Sequence, residues 1–261
     1  MSSGPSEPIA LISDVHANLE ALIAVIDDIR SQGIAKIYNL GDTVGYGPDP
    51  EACIDLVDAA CQVNLCGNHD YAVLFEAEGF NPIAKKSVDC HRKIMRPNPE
   101  ENDQEKLRRW MWLEQLEPMY EVQDFEAMHG SPRQPITEYV LPSDLETDPV
   151  KTSDIFSAMS KKVAFVGHTH FPGVMEDGND SFLMLSTFDN YYRINRDNRA
   201  IINIGSVGQP RDRNPRSCYV IYDGVSVTYR RVEYDLEKTM QKIMANPDIH
   251  PACGIRLRDG R

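Results

Sequence analysis

Five short motifs place carboxylate, imidazole and amide side chains directly after apolar runs, where buried strands are expected to end. Such side chains are ligands for divalent metal ions, and the absence of thiolates favours manganese, iron, zinc or nickel that stays Lewis acidic. In the first motif, Asp14 and His16 are two residues apart, so both side chains can reach one ion. The motifs are Asp14-Val15-His16, Gly41-Asp42, Gly67-Asn68-His69-Asp70, His129-Gly130 and Gly167-His168-Thr169-His170.

The histidines are concentrated in these motifs. Five of the seven in the chain belong to them, and only His91 and His250 lie outside. We expect His91 and His250 to be ordinary surface residues. The motif side chains together suit divalent metal ions, which can activate a bound water. Because open α/β sheets place their sites at the carboxyl ends of strands, the motifs are expected to meet at such an edge.

The order of the five motifs resembles that of the calcineurin-like metallophosphoesterase superfamily, over roughly residues 8–231. The resemblance implies two divalent metal ions, held by three side chains each, with Asp42 as the bridging carboxylate. The first metal would be held by Asp14, His16 and His170. The second would be held by Asn68, His129 and His168.

The same resemblance implies catalytic roles for the two residues that follow Asn68. His69 would donate a proton to the leaving oxygen or stabilise the transition state. Asp70 would orient His69 from behind, with a purely structural role as the alternative. Asn68 is also expected to contact substrate.

The second motif departs from one branch of the superfamily. In serine/threonine protein phosphatases and symmetrical dinucleoside tetraphosphatases, it continues to an arginine that binds substrate phosphate, whereas Tyr46 stands in that place here. The chain therefore resembles the small prokaryotic phosphodiesterase-type members. The predicted function is hydrolysis of a small phosphodiester or nucleotide by attack of a metal-bound hydroxide.

Two alternatives to this function stay open. One is a protein phosphatase or dinucleoside polyphosphate hydrolase, which the missing arginine disfavours. The other is a non-catalytic scaffold or regulatory protein of the same fold, which would be expected to have lost ligands. All seven ligand positions and His69 hold the expected residue types, which favours catalysis.

A basic segment offers a substitute for the missing phosphate ligand. Residues 193–216 contain six arginines and two acidic residues, in a chain whose net charge is −13. Within this segment, Arg211 follows a strand end and a turn of small residues, so it is expected near the rim of the site. A guanidinium can bind two phosphate oxygens at once, and Arg211 is predicted to bind substrate. A solvated loop is the alternative.

Composition limits the partners of the chain. The net charge of −13 argues against general binding to nucleic acids or anionic membranes. No stretch approaches the ~20 apolar residues of a membrane helix. The first eight residues lack the apolar region of a signal peptide, and the six cysteines form no Cys-x-x-Cys pair. We expect reduced thiols, a cytoplasmic location and a small phosphoester as substrate, with the oligomeric state open.

Strands and helices alternate in the first part of the chain, as in a parallel sheet. Asn18 is predicted to cap a helix over 19–32, and Asp49 to cap a second over 50–60. A strand over 36–40 separates them, and another over 62–66 follows. A helical insertion is expected over about 71–117.

The second part of the chain is predicted to be rich in strands. A helix over about 235–245 and an irregular tail over about 247–261 are expected to follow them. The resemblance implies one domain over 1–261, a four-layer α/β/β/α sandwich of two mixed sheets. The predicted strands are 120–128, 163–167, 181–186, 200–205, 217–223 and 225–232.

Overall fold

Two six-stranded mixed sheets form the framework of the chain. The computed structural model describes residues 7–77 and 79–261. The first six residues of the polar N-terminal stretch, and position 78 of the predicted insertion, lie outside the described residues. The strands described are, in chain order, β1 (Ile9–Ile12), β2 (Lys36–Asn39), β3 (Val63–Asn64), β4 (Met119–Glu121), β5 (Glu126–Met128), β6 (Val163–Val166), β7 (Gly173–Glu176), β8 (Leu183–Met184), β9 (Tyr191–Arg193), β10 (Ala200–Asn203), β11 (Ser217–Tyr222) and β12 (Ser226–Val232).

Helices cover the outer faces of both sheets. Two short 3₁₀ segments, Leu185–Thr187 and Arg256–Asp259, occur in addition. No helix in the described ranges combines the length and apolar character that crossing a bilayer requires. The α-helices described are α1 (Leu19–Ser31), α2 (Pro50–Ala60), α3 (Asn68–Leu74), α4 (Pro82–Met95), α5 (Gln104–Glu114), α6 (Asp144–Thr147), α7 (Pro149–Ala158), α8 (Leu236–Ala245) and α9 (Ala252–Ile255).

Each sheet joins parallel and antiparallel pairs. The first has the order β3-β2-β1-β11-β12-β9, and the second the order β4-β5-β6-β10-β7-β8. In the first sheet β1 pairs in parallel with β2 and antiparallel with β11. In the second, β6 lies parallel to both β5 and β10. The parallel strands therefore present their carboxyl ends along a common edge of each sheet.

The four layers follow from strands that are apolar on both faces. On β1, Leu11 points to the core between the two sheets, where it belongs to one cluster with Phe165 and Ile202. Ile12 points the other way, into a cluster with Leu22 of α1. Behind the second sheet, Phe156 of α7 packs with Val166 and Met175. The result is the predicted α/β/β/α sandwich.

Three helices lie between β3 and β4, where the helical insertion was expected. Their buried residues form a separate cluster that includes Val73 of α3, Val88 of α4 and Leu113 of α5. Val44, from the loop after β2, belongs to the same cluster. These helices therefore pack against a loop that carries a predicted metal ligand.

Several elements differ from the sequence-based expectation. The strand expected over 120–128 is two strands, because a tight turn closed by the Val122 amide and the Phe125 carbonyl (3.0 Å) reverses the chain. The expected irregular tail contains α9 and the 3₁₀ segment Arg256–Asp259. Asn18 caps α1 as expected, through the Ala21 amide, whereas Asp49 makes no capping bond to α2. All six cysteines are buried and unpaired.

Candidate metal centre

The predicted ligands lie on loops that follow the carboxyl ends of five strands, except Asn68, which is the first residue of α3 after one such loop. Those loops come after β1, β2, β3, β5 and β6. Backbone hydrogen bonds hold them against one another: the Asp14 amide donates to the Gly41 carbonyl (3.0 Å) and the His16 amide to the Asp42 carbonyl (2.9 Å). The Gly167 amide donates to the His129 carbonyl (3.0 Å). The structure thus brings all five motifs to one place.

The backbone of this site is strained. Five of the seven predicted ligands have a positive φ, between 49° and 66°, although none is glycine. Each such residue costs about 1–3 kcal/mol, and such residues cluster at functional sites. The residues concerned are Asp14, His16, Asp42, His168 and His170.

Glycines allow the close approach of these loops. A side chain at Gly67 would collide with the backbone and carboxylate of Asp42, and one at Gly45 would collide with the His69 ring. Both positions therefore need glycine because no space remains for a Cβ.

The first group of predicted ligands is Asp14, His16 and His170. The His170 Nε2 atom lies 3.1 Å from Asp14 Oδ1 and 3.0 Å from His16 Nε2. The His16 Nε2 atom lies 3.7 Å from the same carboxylate oxygen. All three side chains are buried, and their donor atoms converge closely enough to hold one ion.

The second group of predicted ligands is Asn68, His129 and His168. The His129 Nε2 atom lies 3.2 Å from Asn68 Oδ1 and 3.1 Å from His168 Nδ1. Asp42 contacts both groups, since its Oδ2 atom lies 3.3 Å from His129 Nε2 and 3.6 Å from His16 Nε2. This position between the groups is the one expected of a bridging carboxylate.

Backbone carbonyls fix the tautomers of the four histidines. A carbonyl only accepts, so the ring nitrogen facing it must carry a proton, and in the neutral imidazole the other nitrogen then presents a lone pair that can bind a metal ion. The pairs are His16 Nδ1 with Val44 O (3.0 Å), His129 Nδ1 with Leu40 O (3.1 Å), His168 Nε2 with Thr137 O (3.1 Å) and His170 Nδ1 with Gln209 O (2.6 Å).

The remaining nitrogens of these histidines face one another. His16 Nε2 and His170 Nε2 are 3.0 Å apart, and His129 Nε2 and His168 Nδ1 are 3.1 Å apart. Two lone pairs at this separation repel unless a cation lies among them. The Asp14 Oδ1 atom is likewise buried, and the part of the chain that the structure describes gives it no hydrogen-bond partner. These donors fit bound metal ions, and the carbonyl partners are the outer contacts typical of metal-binding histidines.

The charges at the centre are consistent with a cation. Burial alone would lower the pKa of His129, but the carboxylates of Asp42 and Asp14 outweigh it and raise the pKa to about 9. Burial opposes ionisation of Asp42, yet His129 and His69 hold its pKa well below the usual range. The buried carboxylates of Asp42 and Asp14 therefore stay ionised, and a cation beside them would be stabilised.

His69 lies beside the two groups. Its backbone amide donates to Asp42 Oδ1 (2.8 Å), and its ring packs 4.8 Å from the His16 ring and 4.6 Å from the Tyr46 ring. Within the described residues, His69 Nδ1 has no hydrogen-bond partner. Burial lowers the pKa of His69 to about 4. The side chain is close enough to the donors to form a third converging group with His16 and Asp42.

Asp70 does not orient His69 as expected. Its two carboxylate oxygens accept hydrogen bonds from the amides of Val44 (3.1 Å) and Gly67 (3.0 Å). Asp70 therefore ties the loop after β2 to the start of α3. This is the structural role considered as the alternative, and it leaves the His69 ring held by packing alone.

A cavity of about 200 Å³ opens beside the second group of ligands. Its walls are partly aromatic: the Tyr139 ring stacks 3.7 Å from the His168 ring, and the Phe80 ring meets the His69 ring edge-on at 4.8 Å. A larger cavity of about 590 Å³ contains none of the predicted ligands. The smaller one shares Asn68, Phe80 and Thr137 with a further cavity of about 550 Å³, so these two together are the space available to a substrate at the candidate centre.

Arg211 lies close to the candidate centre, as expected. Its guanidinium carbon is 5.7 Å from the Tyr46 ring centroid, and its backbone amide donates to the His170 carbonyl (3.3 Å). One guanidinium nitrogen bonds to Gln209 (2.9 Å), while the buried Nε has no partner among the described residues.

The expectation for His91 is wrong, because this residue is fully buried in α4. Its Nδ1 accepts from the Gly45 amide (3.0 Å) and its Nε2 donates to the Gly47 carbonyl (2.9 Å). Ser87, one turn earlier, accepts from the Tyr46 amide (3.0 Å). The buried residues Ala84, Val88, His91 and Met95 share one helical face, a spacing in the sequence that could have placed His91 inside. His250 is exposed, as expected.

Comparisons with known proteins agree with this geometry. Residues 8–225 match the calcineurin-like phosphoesterase superfamily domain. An uncharacterised protein of Methanocaldococcus jannaschii is 36% identical over 249 residues, which are 91% of this chain and 92% of that protein. The crystal structure of a metallophosphoesterase from Sphaerobacter thermophilus is 32% identical, with a TM-score of 0.80 over 98% of this chain and 100% of that one. A hypothetical protein of Pyrococcus horikoshii, 17% identical, shares the fold, with a TM-score of 0.73 over 97% and 98% of the two chains.

Proposed function

The chain belongs to the calcineurin-like phosphoesterase superfamily, and from that premise we propose that it is a phosphodiesterase with two divalent metal ions. The family is in general one of metal-dependent phosphoester hydrolases. The observation that supports the proposal is the complete donor set, in which imidazole nitrogens and buried carboxylate oxygens lie 3.0–3.3 Å from one another in two adjoining groups. A scaffold would have no need to keep this costly arrangement.

Seven side chains would hold the ions. Asp14, His16 and His170 form one site, and Asn68, His129 and His168 form the other. Asp42 would bridge the two. When bound, two such ions supply an activated water and a clamp on the phosphoryl oxygens. Manganese, iron, zinc and nickel all suit nitrogen and oxygen donors of this kind.

His69 is proposed to act on the leaving oxygen, either by donating a proton to it or by stabilising the transition state through a hydrogen bond. Hydrolysis of a diester breaks a bond between phosphorus and an ester oxygen, and that oxygen must gain a proton as it leaves. His69 lies between Tyr46 and His16 and also lines the 200 Å³ cavity, so it can reach a leaving group held there. Its packing holds the ring in place without a carboxylate behind it.

The cavity supports a small substrate with a planar organic group. This cavity of about 200 Å³ and the one of about 550 Å³ that shares its wall have the size of typical ligand pockets, ~300–1,000 Å³. Phe80 and Tyr139 offer apolar faces to such a group, while Asn68 and Arg211 would contact the phosphate. A small phosphodiester or nucleotide in the cytoplasm is the substrate and setting that we propose.

Hydrolysis of bis-p-nitrophenyl phosphate by the purified protein tests this function. The metal-loaded protein should release p-nitrophenol, chelation should stop the reaction, and one metal at a time should restore it. A parallel panel of phosphomonoesters and anhydrides sets the preference for diesters. Metal-loaded protein that hydrolyses no phosphoester of any class would rule out the catalytic function.

A further inference from the structure

A second arginine reaches the site from a distant part of the chain. Arg256, in the 3₁₀ segment Arg256–Asp259, has its guanidinium carbon 5.7 Å from the Tyr46 ring centroid. That distance equals the one for Arg211. The Tyr46 ring in turn packs 4.8 Å from the His16 ring and 4.6 Å from the His69 ring. Both guanidiniums therefore lie one aromatic ring away from the candidate metal centre.

Neither guanidinium is neutralised by a nearby acid. Within residues 7–77 and 79–261, no carboxylate lies within ion-pair distance of Arg211 or Arg256. By contrast, Arg258 of the same 3₁₀ segment as Arg256 pairs with Glu237 (2.7 Å), and Arg230 on β12 pairs with Asp28 (2.8 Å). In a chain with 40 acidic residues and 27 basic ones, two unpaired arginines at the same ring are free to bind an anion.

The segment that carries Arg256 is fixed to the site. Leu257 and Cys253 belong to one buried cluster with Tyr46. The Arg213 amide donates to the Gly260 carbonyl (2.9 Å), which ties this segment to the loop that carries Arg211. The two arginines are therefore held on a common support, with little freedom to move apart.

We propose that Arg256 and Arg211 together form an anion-binding pair on Tyr46, which binds the phosphate oxygens of the substrate that do not contact the metals. The pair would replace the arginine that Tyr46 displaces from the second motif. Guanidiniums suit this role because each presents parallel N–H donors to two oxygens. The nature of the anion rests on the proposed phosphoesterase function. The competing explanation is that Arg256 only stacks on Tyr46 and stabilises the fold.

Calorimetric titration of inorganic phosphate onto the metal-loaded protein tests the pair without requiring turnover. Arg256→Ala should weaken phosphate binding about tenfold or more, as expected for a lost charge-assisted bond, and Arg256→Lys should recover part of the loss. Arg258→Ala is the matched control, because Arg258 lies in the same segment but is exposed and paired with Glu237. It should bind phosphate like the wild type.

The outcomes separate the pair from the proposed function. The proposed anion-binding pair is wrong if Arg256→Ala has normal metal content and binds phosphate as tightly as the wild type. It is also wrong if the wild type binds no phosphate. If Arg256→Ala loses metal or stability, Arg256→Gln decides, since it keeps the length of the side chain without its charge. Phosphate binding that depends on Arg256 in a protein that hydrolyses no phosphoester would leave the pair standing and reject only the proposed function.

Discussion

Two sides of the candidate site are built in different ways. The metal centre consists of residues that directly follow strands, and short carbonyl contacts orient its histidines. Facing it is the Tyr46 side, by which we mean Tyr46, Ser87, His91, Arg211 and Arg256. These residues come from a loop, the helix α4 and two later segments, and they meet only in the folded chain.

The difference suggests separate tasks for the two sides. The candidate metal centre holds the donors for the proposed reaction, and its strained backbone leaves little tolerance for change. The Tyr46 side supplies positive charge and shape around the substrate. Changes at the metal centre should therefore abolish activity, whereas changes at the Tyr46 side should alter affinity and stability.

Asp42→Asn should have the largest effect, because it removes the charge shared by both groups of ligands while keeping the hydrogen bond from the His69 amide. We expect metal content to fall and hydrolysis to drop below detection, as measured by elemental analysis and a diester assay. Asp27→Asn is the control, since Asp27 is exposed on α1. Full metal content together with full activity in Asp42→Asn would remove Asp42 from the centre.

His69→Ala should lower turnover by about 10²–10⁴-fold, the usual range for a lost general acid, with metal content near normal. Steady-state kinetics and elemental analysis on the same preparation measure both quantities. Loss of half of the metal would make His69 a ligand instead. Asp70→Asn should affect the fold more than the chemistry, because Asp70 contacts the backbone of Val44 and Gly67.

His91 gives the Tyr46 side a measurable dependence on pH. Burial lowers the pKa of His91 to about 4, while the unfolded chain has a histidine pKa of about 6.5. Below pH 6.5, His91 therefore binds a proton in the unfolded state but not in the folded state. The free energy of unfolding should fall by up to about 3 kcal/mol from this residue between pH 6.5 and pH 4.

The variant that isolates this effect is His91→Gln, which can keep both hydrogen bonds to Gly45 and Gly47 but cannot titrate. Urea unfolding of the metal-free variant at pH 7 and pH 4 should show a smaller fall in the free energy of unfolding than the wild type shows. His250→Gln, at an exposed position, should behave like the wild type. If the free energy of unfolding falls equally between pH 7 and pH 4 in His91→Gln and in the wild type, His91 is not the buried neutral histidine that we infer.

Arg211→Ala should have the smallest effect of the four. We expect kcat/KM to fall by a factor that corresponds to a loss of about 1.5–3 kcal/mol in transition-state stabilisation, the range for a hydrogen bond to a charged group. Metal content should be unchanged. Arg211→Lys should recover only part of the loss. Arg216→Ala, an exposed position in the same basic segment, serves as the control. If Arg211→Ala has wild-type kinetics on every substrate that the protein accepts, the basic segment is only a surface loop and does not bind substrate.

The convergence of the five motifs could be predicted from the sequence because each follows an apolar run, whereas the assignment of ligands to two metals was implied by the resemblance. Local patterns also located α1 and most of the strands. The Tyr46 side was harder to predict from the sequence, because Arg256 and Tyr46 are 210 positions apart in the chain. Pro251 and Gly254 favoured an irregular segment, although a short helix forms there. The polar sequence of α7 buries only Thr152, Ile155 and Phe156, too few for a clear helical pattern.

Anomalous diffraction from crystals of the manganese-loaded protein tests the two-metal centre most directly. We predict two peaks, one among Asp14, His16 and His170 and the other among Asn68, His129 and His168, with Asp42 between them. Both peaks should disappear after chelation, together with diester hydrolysis. A single peak, or none, in protein that still hydrolyses diesters at full rate would contradict a function based on two metals.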